Sequence, residues 1–132
     1  MPDLPVFAPT VVPETKPYWD ATAEGKILLP RCNGCGTVIW YPRTSCPECM
    51  SFDVSWFEAS GRGTIYSFAV VRRQGGAWRD ALPYVLAYVE LEEGPRVLTN
   101  IVDTIDVQVG QAVEAVFVDT GEGNALVRFR TA

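Results

Sequence analysis

From Gly61 onward the chain alternates between its two sides. In PYVLAYVEL (83–91), Val85, Ala87, Val89 and Leu91 fall on one face of an extended backbone, and Tyr84, Leu86, Tyr88 and Glu90 fall on the other. The same period of two runs through GTIYSFAVVRR (63–73), RVLTNIV (96–102), AVEAVFVD (112–119) and ALVRFR (125–130), each bounded by Gly, Pro or charged residues. This pattern predicts five short antiparallel strands, and five such strands in about seventy residues predict a small Greek-key barrel of OB type. In the first two strands both faces are apolar: Tyr66, Phe68 and Val70 stand opposite Ile65, Ala69 and Val71. One barrel interior cannot account for every large side chain. Either the rest of the chain covers the outer face or another protein does; in the second case Tyr66, Phe68, Tyr84 and Leu86 are the interface residues.

Upstream the pattern changes. ETKPYWDATAEGK predicts one short helix over 16–24, beginning at Thr15 with Pro17 in its first turn and stopping at Gly25. Its Tyr18, Trp19 and Ala23 either cover the neighbouring module or face a partner. MPDLPVFAPTVVP places prolines at 2, 5, 9 and 13, which removes donors and keeps the backbone extended. Two readings stay open for this arm: a frayed terminus, or a strap that packs on a partner through Val6, Phe7, Val11 and Val12. The expected organisation is an extended arm (1–15), a helix with a cysteine module (16–60) and the barrel (61–132).

Every cysteine lies in CNGCGTVIWYPRTSCPEC, as CxxC, ten residues, CxxC. Each pair can place two sulfurs on one ion from a tight turn, and the second turn completes a tetrahedron, the geometry zinc prefers. Gly34 and Gly36 allow positive φ in the first turn; the second carries Met50 where a glycine often follows. TVIWYPRTS between the pairs alternates well enough for a short hairpin with Pro42 at its turn. The spacing therefore predicts a zinc-ribbon or rubredoxin-like pair of knuckles with Cys32, Cys35, Cys46 and Cys49 as ligands. A disulfide framework lacks the secretion signal it would need. A thioredoxin-type CxxC should open a helix after a strand, which neither pair does. The same four thiolates can hold iron, and spacing does not separate the two metals. Four thiolates close the coordination shell to water and substrate, so the ion is expected to be structural.

Charge and composition narrow the function. No run approaches the roughly 18 to 20 apolar residues that span a bilayer, and Met1 leads into proline-rich sequence instead of a signal peptide, so a cytoplasmic protein without a membrane partner is expected. Lys and Arg number 11 against 16 Asp and Glu, a formal charge of −5 that repels a phosphate backbone. Nucleic acid is the rival ligand class, because Tyr66, Phe68, Tyr84 and Tyr88 are the stacking residue types such barrels use. The charge, and the lack of basic residues interleaved in the second and fourth strands, argue against it. The loop RRQGGAWRDALP (72–83) gathers Arg72, Arg73, Trp78 and Arg79; guanidinium forks match phosphate oxygens and an indole stacks on a base, so the loop is a candidate contact for a phosphate-bearing ligand or a solvated hairpin tip. There is no histidine. No triad, phosphate loop or carboxylate-metal motif is recognisable.

The order YWDATAEGK, LPRCNGCG, YPRTSCPEC, GRGTIYSFAVV, PYVLAYVEL, GPRVLTNIV and VGQAV resembles the OB-fold, rubredoxin-like zinc-ribbon proteins long labelled a domain of unknown function and associated with acyl-CoA metabolism. The resemblance covers roughly residues 16–130. It implies a mainly β protein with an N-terminal helix and zinc ribbon ahead of a five-stranded OB barrel, and carries Cys32, Cys35, Cys46 and Cys49 over as metal ligands. It also implies a partner from the thiolase superfamily, whether an acyl-CoA thiolase, a hydroxymethylglutaryl-CoA synthase assembly or a sterol side-chain thiolase or aldolase; some family members are fused to dehydratase-type domains. The expected role is a noncatalytic small subunit of a hetero-oligomer that assists acyl-CoA binding, with Arg72, Arg73, Trp78 and Arg79 toward CoA. Elementary chemistry agrees: thiolase-type cleavage needs an activated cysteine and a proton-transfer group, commonly His, and this chain has no His and no cysteine to spare.

Overall fold

A computed structural model of the chain describes residues 3–132. The helix α1 spans Lys16–Thr22, with Pro17 in its first turn and a Lys16–Asp20 ion pair of 2.6 Å one turn apart. It ends earlier than the sequence suggests: Glu24 and Gly25 donate to Ala21 and Thr22, three residues back, and Gly25 reverses the chain at φ +72°.

Two strands, β1 (Leu28–Cys32) and β2 (Val54–Glu58), form an antiparallel ladder in register Leu28 to Glu58 and Cys32 to Val54. The predicted hairpin within 37–45 is absent. Once the first knuckle has reversed the chain, that segment returns along the end of β1, where Cys32 N–H donates to Thr37 O, Ile39 N–H to Pro30 O, and Arg31 and Val38 form a single bridge. The backbone groups a hairpin would have paired internally are thus already taken by β1, and β2 takes its other edge.

The expected barrel strands are present as β3 (Arg62–Val71), β4 (Tyr84–Leu91), β5 (Arg96–Ile101), β6 (Ala112–Asp119) and β7 (Ala125–Thr131), closed in the order β3-β4-β5-β7-β6. Closure comes from the antiparallel β3–β6 pairing and from a parallel β5–β7 contact at Ile101 and Phe129. This is the OB topology. The interior is filled by Ile65, Val85, Val89, Ile101, Val113 and Phe129, each 1% exposed or less. At Gly63, the second residue of β3, a Cβ would stand 2.5 Å from Glu90 O, so this point of the barrel wall admits only glycine. Beyond it, the β3–β4 register shifts between Ile65 and Ser67, leaving Tyr66 as the extra, outward-facing residue of a bulge.

Helix and ribbon sit against one side of the barrel. Tyr18, Trp19, Ile27 and Leu29 join the cluster that contains Val97 and Phe129, and the buried Thr22 hydroxyl accepts the Ala125 N–H at 2.9 Å. The loop after β3 contains a 3-10 helix, Gly76–Ala81. The N-terminal arm lies across this region: Leu4 is buried with Ala81 and Tyr84, and Pro5 O accepts a bond from Arg128 Nη2 at 2.5 Å. Val6, Phe7, Val11 and Val12 remain exposed. No helix among the described residues is long and apolar enough to cross a membrane.

Candidate functional site

The two knuckles are built alike. In the first, Gly36 N–H donates to Cys32 O, and Gly36 adopts φ +79°; in the second, Met50 N–H donates to Cys46 O at the equivalent place, with φ +66°. A left-handed backbone is therefore imposed on a methionine that is 74% exposed, because the turn fixes where the second sulfur of the pair must point. Cys32 and Cys46 are fully buried, while Cys35 and Cys49 face outward.

The four Sγ atoms lie within 4.8 Å of one another, with Cys32 to Cys49 at 3.5 Å and Cys35 to Cys46 at 3.6 Å. A tetrahedron with metal–sulfur bonds of about 2.3 Å has sulfur–sulfur edges of roughly 3.8 Å, so the donor set fits a single metal ion. Backbone amides support the inner sulfurs: Cys35 N–H points at Cys32 Sγ and Glu48 N–H at Cys46 Sγ, each at 3.4 Å. The Cys35 N–H holds the Cys32 thiol below its ordinary range. The Thr37 hydroxyl and N–H bring Cys35 down to about 6. Cys49, although it accepts a bond from the Ser51 backbone, is pushed up to about 12 by the neighbouring Cys32 and Cys35 sulfurs. Four thiolates this close repel one another strongly; a cation at their centre removes the conflict. Together they leave no open coordination position.

The barrel presents a second feature. On β3 and β4, Tyr66, Phe68, Leu86 and Tyr88 are 36–48% exposed, and Leu98 of β5, directly opposite Tyr88, is 57% exposed. Neither the helix nor the ribbon covers this face. Arg96 lies over the Tyr66 ring at 3.8 Å while pairing with Glu90. Tyr84, expected on the same face from its spacing, is instead 5% exposed: the arm and the 3-10 helix cover it, Trp78 packs on its ring at 4.7 Å, and its hydroxyl bonds to Gln74. Tyr84 is corrected from surface to core. Tyr88, which strand parity already places on this side, and Leu98 continue the exposed face.

Arg72, Arg73 and Arg79 are exposed on the loop and form no ion pair among the described residues, whereas Arg62, Arg96 and Arg130 of the barrel are each bonded to a glutamate. Trp78 does not join the three arginines at the surface; it is tucked inward against Tyr84. The loop therefore offers three free cations without the indole.

Comparison with known proteins agrees with this geometry. Residues 19–55 match the ChsH2 rubredoxin-like zinc ribbon domain and residues 56–118 match the ChsH2 C-terminal OB-fold domain. A DUF35 domain-containing scaffold protein of Methanocaldococcus jannaschii is 41% identical over 90 residues, which are 66% of this chain and 64% of that protein, so the chain spans just under two thirds of that relative. The benzoylsuccinyl-CoA thiolase subunit BbsA of Geobacter metallireducens is 30% identical over 107 residues, 80% of this chain and 67% of that one. Among solved structures, a chain of the Ltp2-ChsH2(DUF35) aldolase superposes with a TM-score of 0.82 at 30% identity, covering 94% of this chain and 98% of that one. The chain belongs to the ChsH2-type DUF35 family, with both the ribbon and the barrel of that family present.

Proposed function

We propose, from that membership, that the chain is a zinc-containing, noncatalytic subunit of a thiolase- or aldolase-type complex acting on acyl-CoA, which it helps to assemble and to supply with its CoA ester. One observation carries the reading: all four cysteines cluster as one closed set of metal ligands in a chain without histidine, while an aromatic face of the barrel stands uncovered. The first half removes the nucleophile and the commonest proton carrier from this subunit. The second supplies a surface whose rings, Tyr66, Phe68 and Tyr88, lose water on docking. Zinc at Cys32, Cys35, Cys46 and Cys49 would act as a staple that holds two knuckles too small to have a core of their own. Arg72, Arg73 and Arg79 lie on one loop where they can meet the CoA phosphates.

The test is recovery of the tagged full chain from its native cells. A thiolase-superfamily protein, identified by mass spectrometry, should come with it in stoichiometric amount, and acyl-CoA turnover should require both. Phe68→Asp should release that protein while elemental analysis still finds one metal per chain. A chain that purifies alone and itself cleaves acyl-CoA esters would overturn the reading; full retention of the partner by a folded Phe68→Asp variant would place the interface elsewhere.

A further inference from the structure

The arm, helix, ribbon, 3-10 loop and barrel meet around one cavity of about 280 Å³. Three of the chain's four tryptophans line it: Trp19 from α1, Trp40 from the ribbon and Trp78 from the loop. Leu98 of β5 and Tyr41 add to the apolar wall. Arg128 of β7 also lines it and is only 6% exposed.

Arg128 is unusual for a buried cation. Among the described residues its guanidinium has no carboxylate within 4.0 Å, and its one hydrogen bond is to Pro5 O. Five N–H donors are present and one is bonded; the unbonded guanidinium nitrogens are not fully buried and face the cavity, so the charge lies half out of water without a counterion. Burial accordingly pulls its pKa below the ordinary guanidinium value. No acidic side chain lines the cavity among the described residues. Tyr41 Oη accepts the Trp19 indole N–H at 2.9 Å, which leaves the phenolic O–H as a donor without a partner. The buried Asn100 amide donates one of its two protons to Val85 O, and the Thr99 hydroxyl donates to Val127 O. The wall therefore offers rings, free donors and one uncompensated positive charge.

We propose that this cavity is a binding site for a small apolar monocarboxylate, whose anionic end pairs with Arg128 and whose body lies among Trp40, Trp78 and Leu98. A carboxylate supplies the missing counterion and accepts two guanidinium N–H bonds in parallel. The volume lies at the lower edge of the range of small-molecule pockets, roughly 300–1,000 Å³, so the occupant is a ring or a short chain and not a whole coenzyme. The site is separate from the metal centre and adjoins the exposed barrel face at Leu98, and the inference needs neither a partner protein nor CoA.

The test is titration of the purified, metal-loaded full chain with 3-phenylpropionate, followed by tryptophan fluorescence and calorimetry, with the neutral 3-phenylpropanamide as control. The carboxylate should bind saturably at one site per chain, at least about tenfold more tightly than the amide. Arg128→Met, which keeps an unbranched apolar stem without the charge, should abolish that preference, and Arg128→Lys should retain part of it. Should Arg128→Met fail to fold, Arg128→Gln provides a second variant that removes the charge while keeping polar donors, and it too should abolish the preference for acid over amide. Absence of saturable binding to the wild-type chain, equal affinity for acid and amide, or unchanged affinity in a folded Arg128→Met variant would each overturn the proposal.

Discussion

Replacing Thr22 by valine isolates the one side-chain hydrogen bond that, among the described residues, ties the helix to the barrel. Thr22 is 1% exposed, and its hydroxyl makes two bonds: it donates to Trp19 O at 2.6 Å and accepts the Ala125 N–H at 2.9 Å, across 103 residues of chain. Valine keeps the branched shape and opens no cavity, but it strands a buried amide at the start of β7. An unsatisfied buried donor costs roughly 1–3 kcal/mol, and the bond to Trp19 O contributes about another 1 kcal/mol. The extra buried methyl offsets about 0.8 kcal/mol. A net loss of about 2 kcal/mol is expected, a fall in Tm of roughly 6–12 °C for a domain of this size. Thr22→Ser is the control, since it keeps both bonds and should lose only about 0.8 kcal/mol. Denaturant unfolding of the metal-loaded chain reads both, and tryptophan emission reports whether Trp19 leaves its buried place. A Thr22→Val variant within 0.5 kcal/mol of wild type, or no better separated from Thr22→Ser, would show that the Ala125 amide finds another partner and that helix docking rests on apolar packing alone.

Cys35→Ser and Cys46→Ser should each lose the metal and much of the folding free energy, because ligand binding and folding are one process at such a site; elemental analysis should give about one zinc per wild-type chain, and red, iron-containing protein would refute that assignment. Met50→Gly should stabilise the chain by about 0.5–1 kcal/mol, the relief of a left-handed residue less the entropy glycine loses on folding, measured by chemical denaturation with metal present. Arg73→Glu should leave assembly with the partner intact and raise the acyl-CoA KM, while unchanged kinetics after substitution of Arg72, Arg73 and Arg79 together would reduce the loop to a solvated tip.

The order of elements and the chemistry of the metal site were set by short-range features of the sequence. Alternation at period two marks β3 to β7 because a strand shows its pattern within a few residues, and CxxC marks a knuckle because the turn that aims two sulfurs is four residues long. Even Met50 was visible as the place where the second knuckle departs from the first. What the sequence left open depends on surfaces that meet from opposite ends of the chain. The alternation puts Tyr84 and Leu86 on one face without distinction, yet Leu4 and the 3-10 helix cover the first and leave the second exposed. The segment 37–45 has a hairpin's pattern but finds its hydrogen bonds on β1. Arg128 is one of two arginines in β7, and only the meeting of arm, helix, ribbon and barrel buries it facing a cavity of indoles while Arg130 stays exposed beside Glu114. Local periodicity specifies which side of a strand a residue takes; whether that side meets water, another part of the chain or a ligand is decided by docking between elements a hundred residues apart, as in the Thr22 to Ala125 and Arg128 to Pro5 bonds.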